Sequence, residues 1–194
     1  TPPLAGVVYS NMAYSLVAYF VQEFSGERYK DYVRENVWSP LGMLDTEFDL
    51  PPEMEERLAV PYVPDEATGR NVATQRLKAN VWPAGIVYGT IHDQARWVSF
   101  NLGDGMAAGR RILEPSSIEA MQTLQFPETA GEPMGGGWGY ERPGYGLTWW
   151  TTTRDEDTYF AHSGSVPGYT AFVMGNRARG HGVALLTNGN RAHP

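Results

Sequence analysis

The feature that most constrains this chain is its last fifty residues. "LTWWTTT", "TYFAHSG", "GYTAFVMGN" and "HGVALLTNG" follow one another between 147 and 189, each rich in β-branched and aromatic residues and each bounded by glycine, asparagine or proline. Four short runs at such close spacing predict antiparallel strands joined by tight turns, a meander. "VALL" at 183–186 is apolar at successive positions, which predicts a strand covered on both faces. The text before it has a different period. Met12, Leu16, Tyr19 and Phe20 recur at helical spacing, so residues 11–24 read as a helix with Asn11 as cap and Gly26 as stop. Residues 27–38 read as a second helix ended by "SPLGM", and 50–85 as a long excursion with little regular structure. Thr90 and Asp93 resemble a capping box for a helix running to Leu102. Pro115, with Ser116 and Glu119 as a box, opens another over 114–124. The glycine-rich stretch 131–146 reads as a loop. The expected class is therefore α+β: one domain over 1–194, a mostly helical region with long loops over 1–130, and antiparallel strands over 145–190 flanked by helices.

Charge and composition remove several classes of function. Acids outnumber bases 22 to 15, a net charge of −7, and no run of lysine or arginine stands out, so nucleic acid is not an expected partner. The absence of cysteine excludes disulfides and thiolate metal sites. His92, His162, His181 and His193 show no paired spacing such as H-x-x-x-H, so no metal site is expected. The apolar run at 12–21 is too short to span a bilayer. Trp138, Trp149 and Trp150 near the glycine-rich loop admit a second reading, a glycan- or peptidoglycan-binding module, against which stands simple core filling, and a non-catalytic scaffold is a third.

Taken alone, Tyr9, Asn11 and His162 have ordinary readings: packing, a helix cap, a strand-end histidine. Their order with other motifs changes that. "YSN" at 9–11, "SPLGMLDTEF" at 39–48, "PAGIVYGTIHDQARW" at 83–97, "YGLTWW" at 145–150 and "HSGSVPGY" at 162–169 follow in sequence. Together they resemble the serine β-lactamase and penicillin-binding-protein family, closest to its class C type with DD-peptidase, D-aminopeptidase and esterase relatives. The resemblance runs from about residue 6 to 190. It implies a β-lactamase/transpeptidase-like fold and a serine hydrolase that cleaves ester, amide or β-lactam bonds through an acyl-enzyme. A small-molecule or peptide substrate, no cofactor, and a periplasmic or extracellular setting go with it.

In that family one motif is S-x-x-K, the second Y-x-N, the third K-T-G or H-x-G. Tyr9 and Asn11 match the second, and His162, Ser163 and Gly164 the third. The resemblance implies that Tyr9 shuttles the proton and Asn11 hydrogen-bonds near the scissile group. His162 would line the opposite wall, with Ser163 and Gly164 against the substrate. The Ser165 backbone N–H would be half of an oxyanion hole. Arg177 and Arg179, in the turn after the next strand, are the candidate cations for a substrate carboxylate. The first motif is missing: Glu27 stands three residues before Lys30 and Gln75 before Lys78, the only lysines. The expectation is an interior piece of a longer hydrolase, carrying two motifs of three, inactive by itself and structurally incomplete. In the whole protein, esterase or D-peptidase activity is expected ahead of β-lactamase activity.

Overall fold

The computed structural model describes residues 9–79, 83–127 and 141–190. The strands form as the sequence pattern predicts. After β1 (Tyr62–Pro64) with β2 (Asn71–Ala73) and β3 (Met106–Ala107) with β4 (Arg110–Arg111), two small hairpins, comes one large antiparallel sheet. It runs through β5 (Phe126–Pro127), β6 (Glu141–Tyr145), β7 (Trp150–Arg154), β8 (Asp157–Val166), β9 (Tyr169–Asn176) and β10 (His181–Thr187), each beside its neighbour in sequence. The end of the stretch read as a loop, Glu141–Tyr145, is therefore a strand, while its glycine-rich part and Trp138 lie outside the described residues.

The helices are α1 (Asn11–Ser25), α2 (Tyr29–Val33), α3 (Ser39–Leu41), α4 (Pro52–Glu55), α5 (Ile91–Leu102) and α6 (Pro115–Gln122). Three local expectations are corrected. The cap of α1 is Ser10, whose hydroxyl accepts from the Ala13 N–H at 3.2 Å, so Asn11 is the first helical residue and its side chain is not spent on capping. The second helix does not stop at Ser39. It passes through a π segment, Arg34–Trp38, in which the Ser39 N–H bonds back to the Arg34 carbonyl, and continues to Leu41. Pro40 explains the widening: its ring would strike the carbonyl four residues back in a regular α-helix. Gly42, at φ 71°, then closes the helix in the left-handed region. Before α6 the cap position is Glu114, without a side-chain cap, because Pro115 takes the first helical position and draws Ser116 inside.

Two apolar clusters organise the interior. Val98, Trp149, Phe160 and Val173 bury where α5 lies on the sheet, with Leu102, Met121 and Ala184 packed against them. Trp38, Met43 and Phe48 form the second cluster with Tyr29, Val33, Val37 and Leu41. Trp97 packs against both. Strand β10 departs from expectation. It is the sheet's edge, and α5 covers one face, where a Cβ on Gly182 would meet Val98 at 2.5 Å. The alternate residues Val183 and Leu185 are exposed. Helix α1 buries only Ala18 and leaves Met12 79% and Phe24 86% exposed.

Candidate active site

Strand β8 outruns its neighbour. Its ladder to β7 ends at the pair Trp150 and Ala161, whereas its ladder to β9 continues from His162 opposite Val173 to Val166 opposite Tyr169. Among the described residues no strand pairs with the other edge of 162–166. Backbone donors and acceptors of His162, Ser163, Gly164 and Ser165 are thus partly free for another chain or a ligand. Gly164 keeps this ledge low: a Cβ there would meet nothing within 4 Å.

The turn beyond the ledge is pinned from several sides. Asn190 Nδ2 donates to Ser165 Oγ at 3.1 Å and to the Val166 carbonyl at 2.9 Å, and the Gly168 N–H donates to Asn190 Oδ1. The segment entering β1 docks here, with the Tyr169 hydroxyl donating to the Ala59 carbonyl at 2.6 Å and Asn188 Nδ2 to the Val60 carbonyl at 2.9 Å. Gly168, at φ 84°, is required twice over: by its left-handed backbone, and because a Cβ would lie 2.3 Å from Pro61 Cβ.

His162 is half-buried, and Trp150 stacks on its ring with centroids 4.8 Å apart and planes at 17°. Its Nδ1 lies 2.7 Å from the Ser163 carbonyl oxygen. Burial holds its pKa below the usual imidazole value, partly offset by that carbonyl. Tyr145 is the cross-strand partner of Trp150. Its hydroxyl pKa is pushed well up, first by burial, then by the nearby Tyr14 and Tyr9. Tyr14 is raised likewise, by burial and then by Tyr9. The structure sets Tyr145 beside Trp150 across the strands and Trp150 on His162, while Tyr14 and Tyr9 lie near enough to Tyr145 to raise its pKa. Asn11 is exposed one position into α1, and Tyr9 is itself 44% exposed.

Tyr14 and Tyr145 are not singled out by the sequence, and Trp150 is singled out only as a platform residue and not as the neighbour of His162. Tyr14 stands five positions after Tyr9, and "YGLTWW" holds the other two, but nothing in a single sequence reports which face they take. The candidate cations are corrected. Arg179 is bound to Asp157, Nε to Oδ1 at 3.0 Å, at the start of β8. Eight residue steps of extended strand separate Asp157 from Ser165, roughly 26 Å, so the turn carrying Arg177 and Arg179 lies at the wrong end of the strand. Two of the three tryptophans of the platform reading have structural roles. Trp149 is a core residue, edge-on to Phe160 at 4.9 Å, and Trp150 spends its face on His162. His92 and His181 are exposed, and His193 lies outside the described residues. No three metal-ligating side chains converge among the described residues, and no helix there is long and apolar enough to cross a membrane.

Comparison with known proteins places this geometry. The family model described as "Beta-lactamase" matches residues 1–194. Protein flp of Staphylococcus aureus (strain N315) is 24% identical over 184 residues, 94% of this chain and 33% of the relative. The human protein "Putative beta-lactamase-like 1" is 37% identical over 122 residues, 61% of this chain and 22% of its own. Among solved structures, the octameric penicillin-binding protein homologue from Pyrococcus abyssi superposes with a TM-score of 0.78 at 24% identity, covering 97% of this chain and 40% of that one. The D-amino acid amidase from Ochrobactrum anthropi SV3 superposes at 0.76 and 24%, covering 98% and 52%. The chain spans about a third of the length of the curated relative flp.

Proposed function

The chain belongs to the Beta-lactamase family, and on that footing we propose that the intact protein is a serine hydrolase that opens ester or D-peptide-type amide bonds through an acyl-enzyme. The nucleophile in this reading is the serine of an S-x-x-K segment, which these 194 residues do not contain. Its hydroxyl adds to the substrate carbonyl as its proton passes to Tyr9 acting as the phenolate. The tetrahedral oxyanion rests on the Ser165 N–H and the nucleophile's own N–H. Tyr9 returns the proton to the leaving group, and water reverses the sequence to free the acid. Asn11 orients the amide or ester beside the bond being broken. Tyr14 and Tyr145 stay protonated, so each is a hydrogen-bond donor available to the Tyr9 oxygen when it has given up its proton.

The observation that carries the proposal is the unpaired strand edge at 162–166, in a chain that also carries Tyr9 just ahead of the first helix. An acyl substrate needs both, a ledge of amides for its carbonyl and a proton carrier beside its leaving group. The neutral imidazole of His162 offers little attraction to a carboxylate, which supports esters over β-lactams. The test is kinetic, on the full-length protein. A short-chain aryl ester should be turned over with kcat/KM above that of a cephalosporin, and Tyr9→Phe should lower kcat by roughly 10²–10⁴ while circular dichroism is unchanged. A cephalosporin preferred by more than tenfold, or a Tyr9→Phe enzyme with wild-type kcat, refutes the proposal.

A further inference from the structure

We infer that His162 meets the substrate as a hydrogen-bond acceptor, so that the substrate group lodged against it is a donor, an ammonium or an N–H, and not a carboxylate. The inference rests on the hydrolase reading of this site and goes on to specify its substrate.

The argument starts from one contact. Nδ1 of His162 lies 2.7 Å from the carbonyl oxygen of Ser163. A carbonyl oxygen accepts and cannot donate, so Nδ1 carries the hydrogen. A neutral imidazole has one hydrogen to place, and once Nδ1 holds it, Nε2 presents a bare lone pair. Trp150 fixes the ring plane by stacking on it at 4.8 Å. Among the described residues Nε2 has no protein partner. The free pole of the ring is thus an acceptor beside the unpaired edge of β8. A carboxylate placed there would oppose acceptor to acceptor. An ammonium or amide N–H would satisfy the lone pair. The surroundings agree: Arg179, the cation of the β9–β10 turn that pairs with Asp157, is committed at the far end of the strand, and the chain carries a net charge of −7. Gly164, with open space where a side chain would stand, lets a substrate main chain approach the ledge closely.

Two measurements on the full-length protein decide it. Nitrogen-15 NMR of the histidine-labelled protein at neutral pH, assigned against His162→Leu, should show Nδ1 protonated and Nε2 bare; the opposite tautomer overturns the inference. Second, two substrates share one leaving group and differ at one position near the scissile carbonyl, ammonium in one and carboxylate in the other. The ammonium substrate should have at least tenfold higher kcat/KM, His162→Lys should reverse the order, and His162→Leu should bring the two within about twofold. A wild type that prefers the carboxylate or does not discriminate, or a preference that survives in His162→Leu, overturns it. If neither substrate is cleaved, the hydrolase reading fails instead. The same pair, titrated calorimetrically, then decides the donor preference: tighter ammonium binding upholds it, and equal or tighter carboxylate binding overturns it.

Discussion

Asp93 offers a sharp test of what holds the helical region together. Its carboxylate is almost wholly buried, and one oxygen, Oδ2, accepts from both the Asp45 N–H at 2.8 Å and the Thr46 hydroxyl at 2.9 Å. The other oxygen accepts from Arg96 Nη1 at 2.9 Å, an arginine whose side chain is 50% exposed. The ion pair catches the eye, but the two neutral donors should matter more. A hydrogen bond to a charged group contributes about 1.5–3 kcal/mol, and a buried donor left unpaired costs a similar amount. Asp93→Ala strands both donors in a closed site, a loss of roughly 3–5 kcal/mol. Asp93→Asn keeps an oxygen for the two donors and sets its NH₂ toward Arg96, which can swing into water, so about 1–2 kcal/mol is expected. Arg96→Ala removes a half-exposed pair and should cost under about 1 kcal/mol. The assay is urea unfolding of the full-length variants, read as midpoint at constant slope. The order Asp93→Ala, Asp93→Asn, Arg96→Ala is the prediction. If Arg96→Ala costs as much as Asp93→Ala, the ion pair is what holds the segment, and the reasoning is refuted.

Two further outcomes follow from the ledge and its turn. Gly168→Ala should lower stability by about 2–4 kcal/mol, combining left-handed strain with overlap against Pro61, whereas Gly180→Ala, at φ 69° with nothing within 4 Å, carries the strain alone at roughly 1–2 kcal/mol; equal urea midpoints for the two would show that the hairpin yields freely to the extra methyl. For His162 the native pKa lies below the unfolded value of 6.5, so the unfolded chain takes up a proton first as pH falls, and stability declines below about pH 6.5 until the native ring is protonated as well. His162→Gln should remove that part of the decline, and a urea-midpoint profile between pH 5 and 7.5 identical to wild type would contradict it.

How much of this was readable beforehand varied with the range of the interaction. The strands were legible because their alternation and turn residues are local. The helix under residues 11–24 was legible for the same reason. The cap was misjudged because Ser10 and Asn11 are both good caps, and only the backbone decides between neighbours. Pro40 reads as a stop until the π segment that accommodates it is seen. Asp93 reads as half of a capping box, and Thr90 does accept from its N–H at 3.3 Å, but the carboxylate is claimed by residues 45–46, a tertiary contact that no local pattern announces. At the site, Tyr9, Asn11 and the His162–Ser165 stretch came from ordered motifs. The stack of Trp150 on His162 and the phenols of Tyr14 and Tyr145 depend on strand register and on which way side chains turn. The edge position of β10 was equally hidden, since four successive apolar residues look the same whether one face or both are covered.

Trp97 has a mechanical meaning. Because one indole belongs to both apolar clusters, the segment from Trp38 to Phe48 and the sheet beneath α5 cannot swing apart without opening both cores. The side of the molecule that bears His162 is therefore stiff. Helix α1 is hung differently: Ala18 is its one fully buried residue, and its far end is tied to α2 by the Gln22 side-chain oxygen accepting from the Tyr29 N–H at 2.9 Å. Within these residues compliance is concentrated on the side that carries Tyr9. Motion within these residues should therefore be carried by α1, with the strand edge at 162–166 standing still.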